Sequence, residues 1–91
     1  MTNQSFSPAA AQEGAFEVLK SSGGWLAIRQ RSEGHVFTFF FNAAHTALAR
    51  VEVTHSRQGR YAPSYFQEAA WRFADHFARA KGLIYATGKV A

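Results

Sequence analysis

A chain of 91 residues, 47% of them apolar and 9 of them Phe, can close one hydrophobic core without a disulfide or metal staple, but not two. It has no Cys, which excludes disulfides, thiolate nucleophiles and Cys-bearing zinc or iron–sulfur sites, and its unbroken apolar runs, such as Trp25 to Ile28 or Phe39 to Phe41, are far too short for a membrane span. The net charge of +4 gathers between residues 25 and 61, where Arg29, Arg31, Arg50, Arg57 and Arg60 stand against Glu33 and Glu52; arginine forks onto phosphate or carboxylate, so an anionic partner is expected.

Residues 1–91 read as a single small domain with 1–6 and 87–91 frayed. Met1 to Ser7 has no basic stretch leading into an apolar run, so no secretory signal is readable and a cytoplasmic location is expected. Ser7-Pro8 supplies an N-cap and an N1 proline, after which Ala11, Ala15, Val18 and Leu19 recur at helical spacing up to Ser21-Ser22-Gly23-Gly24. This predicts a first helix, weakened by about 1 kcal/mol at Gly14 relative to Ala.

Beyond Gly24 the period becomes two. Trp25 to Arg31, Val36 to Phe41 and Ala47 to His55 read as three strands, and their short connections make both pairings antiparallel. A two-residue turn at Glu33-Gly34 sets Ile28 opposite Phe39 and Leu26 opposite Phe41. A loop over 42–46 sets Phe39 opposite Ala49 and Phe37 opposite Val51. Both registers put Leu26, Ile28, Phe37, Phe39, Phe41, Ala47, Ala49, Val51 and Val53 on one core face, with a hollow beside the two alanines.

The last helix is expected to fill that hollow. Ser64 with Gln67 makes a capping-box pattern after Pro63, Phe66, Ala70, Phe73, Phe77 and Ala80 form an apolar stripe, and Glu68–Arg72 and Asp75–Arg79 pair at i,i+4. Gly82 is the expected stop, with Leu83 to Tyr85 returning as a short strand or packed tail. The expected fold is therefore α+β in the order α-β-β-β-α, a three-stranded antiparallel sheet with an amphipathic C-terminal helix on one face.

The opposite sheet face is predicted to carry Trp25 by Asn42, then rows of Ala27, Phe40 and Leu48, of Arg29, Thr38 and Arg50, and of Arg31, Val36 and Glu52. An apolar patch beside three arginines fits bases stacking on Trp25 and Phe40 while Arg29, Arg31 and Arg50 meet phosphates. It equally fits an acidic protein partner, a homodimer face, or cover by the first helix or the tail. The loop Ser56-Arg57-Gln58-Gly59-Arg60-Tyr61 adds Arg57 and Arg60 close to a helix N-terminus, a setting that favours anions.

The order helix, three antiparallel strands, helix resembles the double-stranded RNA-binding domain, with Glu33-Gly34-His35 where that family has a Gly-x-His-like minor-groove loop. The likeness is one of topology. The family's Lys-Lys-x-Ala-Lys cluster is replaced here by Ser64-Tyr65-Phe66-Gln67-Glu68, and no binding residues carry over from it.

Catalytic signatures are sparse. His35, His45 and His55 fall at a hairpin, a loop and a strand end, where they read as polar turn residues without metal-ligand spacing, and no nucleophile elbow, P-loop or dinucleotide glycine pattern occurs. A toxin-like ribonuclease using Glu52, Arg31, Arg50 and His35 is one enzymatic reading, although Glu52 with Arg31 is more simply a cross-strand ion pair. The expected function is a non-enzymatic binding module without cofactor or metal that contacts RNA or DNA. The alternative is a small protein-docking inhibitor or adaptor of the anti-CRISPR-like kind that phages and mobile elements encode, an analogy resting on scale.

Overall fold

The computed structural model describes residues 15–57 and 59–85. The element order is β1 (Phe16–Ser21), β2 (Trp25–Gln30), β3 (Val36–Phe41), β4 (Leu48–Thr54), a 3-10 turn at Pro63–Phe66, and the helix α1 (Gln67–Ala80). The strands form one antiparallel sheet in the order β1-β2-β3-β4, so the fold is α+β with four strands rather than three.

The extra strand is the finding that most changes the sequence reading, because Phe16–Ser21 falls inside the expected first helix. Alternation prevails there over helical spacing: Phe16 is buried, Glu17 pairs across to Arg29 and Val18 to Ile28. The consecutive apolar pair Val18-Leu19, which suited a helix, is accommodated by a bulge between Val18 and Lys20 that leaves Leu19 exposed. Gly23-Gly24, expected as a helix stop, instead lies within a tight hairpin in which the Ser22 amide donates to the Trp25 carbonyl. The helix start at Ser7-Pro8, Gly14 and the two expected frayed ends, 1–6 and 87–91, lie outside the described residues.

Both expected hairpin registers are off by two residues. Leu26 pairs with Phe39 and Ile28 with Phe37, while Phe39 pairs with Val51 and Phe37 with Val53. At the β2–β3 turn the cause is Gln30, which is buried: its amide donates to Ser32 Oγ, its side-chain oxygen accepts from the Glu33 amide, and the Gly34 amide returns to its carbonyl. Gly34 at φ 85 closes this wider turn. An even slide preserves the faces, so Leu26, Ile28, Phe37 and Phe39 are all fully buried as expected.

At the other hairpin Asn42 organises the loop, its side-chain oxygen accepting from the Thr46 and Ala47 amides. A register shift between Phe40 and Phe41 then turns Leu48 into the core and leaves Ala49 exposed, reversing their expected faces. Leu48 therefore joins the helix residues in the core cluster around the phenylalanines. Val53, also expected in the core, is exposed at the β4 edge.

The helix buries Ala70, Ala74 and Ala78, with Phe66, Phe73, Phe77 and Trp71 packed around this line and Ala80 exposed. Small side chains let the helix axis approach β2 and β3, while the rings splay to each side: Phe73 reaches Phe16 at 5.4 Å between centroids, and Trp71 meets Phe39 edge-on at 5.3 Å. The Ser64–Gln67 capping box is not formed, since Pro63–Phe66 takes 3-10 geometry and the helix begins after Phe66 without a side-chain cap. The two i,i+4 pairs form as expected, at 2.8 Å for Arg72–Glu68 and 3.0 Å for Arg79–Asp75. Gly82 at φ 75 ends the helix, and the Leu83 amide returns to the Ala78 carbonyl.

Leu83 to Tyr85 is a packed tail. Ile84 is buried, the Tyr85 amide donates to the His45 carbonyl, His45 Nδ1 donates to the Leu83 carbonyl, and Arg79 donates to the carbonyls of Tyr85 and Thr46. No helix among the described residues is long and apolar enough to cross a membrane.

Candidate nucleic-acid interface

The sheet face away from α1 is built by the odd-numbered positions of β2 and the even-numbered positions of β3 and of β4 after its bulge. The observed register gives rows of Trp25, Phe40 and Arg50; of Lys20, Ala27, Thr38 and Glu52; and of Glu17, Arg29, Val36 and Thr54. The two-residue slide thus removes Trp25 from Asn42 and sets it directly beside Phe40, with Arg50 on the far side. Both rings are half-buried, and the Arg50 guanidinium lies 4.1 Å from the Phe40 centroid, within cation–π range. Leu48, expected in this patch, belongs to the core instead.

Arg29 stands toward the other end of β2, about 13 Å from Trp25 at the usual strand rise, and Arg31 follows just past the strand. Both face Glu17: Arg29 in a close ion pair, Arg31 at 3.7 Å. The expected Glu52–Arg31 pair does not form, because the register slide sets Glu52 opposite Thr38; Glu52 instead accepts from Nη1 of Arg50, its same-strand neighbour, at 2.7 Å. Lys20, Arg29, Arg31 and Arg50 on this face outnumber Glu17 and Glu52, and all five arginine and glutamate groups in these pairs keep solvent contact. Sequence reasoning missed Glu17 and Lys20 because it placed them on a helix; the alternation of Phe16 and Val18 was the available signal.

Arg57 and Arg60 are exposed on the loop after β4, which sits against the β2–β3 turn and not on the sheet face. One oxygen of Glu33 accepts from the backbone amides of both Arg60 and Tyr61. These two amides, which precede the helix, are therefore occupied by a carboxylate. The guanidinium groups of Arg57 and Arg60 remain exposed to meet an anion.

His35, expected as a polar turn residue, is fully buried. Its Nε2 donates to the Tyr61 carbonyl at 2.7 Å and its Nδ1 accepts from the Ser56 amide at 3.0 Å, with the His55 ring 5.1 Å away and Phe66 at 6.0 Å. A neutral imidazole satisfies both bonds, so His35 clamps the loop to the sheet and has no free nitrogen to offer a substrate. The residues named for a ribonuclease are thus dispersed: Glu52 and Arg50 in one pair, Arg31 on Glu17, His35 inside. Among the described residues no group of three or more His, Asp or Glu is arranged to hold a metal ion.

The order β-β-β-β-α over the described residues also departs from the double-stranded RNA-binding arrangement, in which a helix would stand where β1 does. In comparisons with protein-family models, curated proteins and solved structures, nothing matches this chain.

Proposed function

We propose that this protein is a non-enzymatic binding module whose sheet face away from α1 takes single-stranded nucleic acid. The observation that carries the reading is the row Trp25, Phe40, Arg50: two aromatic rings side by side with a guanidinium over one of them. Rings on a pleated sheet offer stacking surfaces for bases, and sheet-based single-strand binders combine such platforms with cations that follow the backbone. Lys20, Arg29 and Arg31 extend the positive side of the face, and Arg57 and Arg60 flank it on the neighbouring loop. Phosphates would exchange with the carboxylates of Glu17 and Glu52, a low-cost substitution for ion pairs at this exposure.

The test is a fluorescence titration with single-stranded RNA, single-stranded DNA and duplex RNA at two salt concentrations, in a Trp71→Phe background so that Trp25 alone reports. Quenching by single strands with a steep salt slope supports the reading. Equal, feeble binding to all three removes it and turns attention to the runner-up, docking to an acidic protein surface, for which Trp25→Ala would weaken binding with little salt dependence.

A further inference from the structure

The outer edge of the sheet at β4 is built differently from the edge at β1. β1 is interrupted by its bulge between Val18 and Lys20, which spoils it as a template for another strand. β4 has its irregularity only at its start, at Ala49; beyond it Arg50 to Thr54 runs in unbroken register against Val36 to Phe40. The helix lies over β2 and β3 and leaves this edge uncovered: Val51 is only half-buried, and Val53 is 39% exposed.

The sequence of this edge complements itself. In an antiparallel pairing of two β4 strands with Val51 on the two-fold axis, Arg50 of each copy faces Glu52 of the other on one face of the sheet. On the helix side, Val51 faces Val51, apolar against apolar. Moving the axis by one residue in either direction brings Arg50 opposite Arg50 or Glu52 opposite Glu52, both unfavourable. Arg50 and Glu52 already project together, with 2.7 Å between them, so the exchange to an intermolecular pair requires little rearrangement.

We propose that β4 is a homodimer edge at which two copies of this chain join their sheets into one of eight strands, with Val51 on the two-fold axis. Both helices then lie on the same side of the joined sheet, each set back over its own β2 and β3. This inference stands apart from nucleic-acid binding and holds whether or not that reading survives.

Sedimentation velocity of the full chain at micromolar concentration tests it, with circular dichroism confirming that each variant is folded. The expected result is a species of twice the 10.1 kDa chain mass. Arg50→Glu and Glu52→Arg should each halve the apparent mass, and the double exchange should restore the dimer, because the pairing is regenerated with its signs reversed. Val51→Cys, in a chain with no other thiol, should form a disulfide-linked dimer on mild oxidation. A wild-type monomer overturns the proposal, as does a dimer that survives both single reversals. An oxidised Val51→Cys chain that stays monomeric overturns the Val51-centred pairing even if the charge variants do not fold.

Discussion

Arg50 holds its guanidinium over the ring of Phe40 while one of its nitrogens donates to Glu52. One cation is thereby fixed at a defined place on the aromatic row, and the row can be tested without disturbing the core. Phe40→Leu should cost stability by no more than about 1 kcal/mol, the worth of an exposed cation–π contact. The same change should weaken single-strand binding by about 1–3 kcal/mol, the loss of one stacked base. Thermal melts and Trp25 fluorescence titrations measure the two separately.

Glu17 is the carboxylate that both Arg29 and Arg31 face. Glu17→Gln should release both guanidinium groups and raise affinity for single-stranded RNA several-fold at low salt, with a steeper salt dependence. Folding stability should fall by less than about 1 kcal/mol, because the pairs are partly exposed. An unchanged affinity would indicate that this end of the face lies outside the binding path.

Gly59 packs against the His35 clamp so closely that a Cβ there would lie 2.8 Å from His35 Cε1 and 3.1 Å from Glu33 Oε1. His35 cannot give way without losing its bonds to Tyr61 and Ser56. Gly59→Ala should therefore destabilise by about 1–3 kcal/mol in urea unfolding, as overpacked sites do. Gly23→Ala is the control: nothing lies within 4 Å of its Cβ position, so it should be neutral or slightly stabilising.

His35→Leu removes the ring nitrogens that serve the Tyr61 carbonyl and the Ser56 amide. Each group left without its partner in the interior costs about 1–3 kcal/mol. The expected outcome is a lower urea midpoint together with faster proteolysis between residues 55 and 62, where the loop loses its anchor.

Ala74 lies at the middle of the buried alanine line of α1, against a sheet whose Leu26, Ile28, Phe37 and Phe39 admit no solvent. Ala74→Leu should push the helix outward and cost about 1–3 kcal/mol, and Phe39→Ala should cost about 3–5 kcal/mol by opening a cavity beneath Trp71. Ala80→Leu, at an exposed position the stripe pattern assigned to the core, should change stability by less than about 0.5 kcal/mol.

The strands β2 and β3, their core face and the last helix were determined by local chemistry alone. Alternation over Leu26 to Ile28 and Phe37 to Phe39 assigns the core face whichever register is taken, because registers two residues apart place the same side chains inward. Helical spacing, i,i+4 pairs and Gly82 likewise needed no tertiary information. What only the folded chain decided was which of several locally allowed pairings each segment took. Phe16 to Ser21 carries both a helical and a strand pattern, and the open edge of β2 chose between them. Gln30 widened a turn by bonding its own loop, sliding the register and separating Glu52 from Arg31. The bulge beside Ala49 turned Leu48 inward, and His35 became a buried clamp because a loop some 25 residues further on returned to it. Periodicity reports which side of an element is apolar, whereas the energy separating one register or pairing from another resides in contacts that exist only once the strands have met.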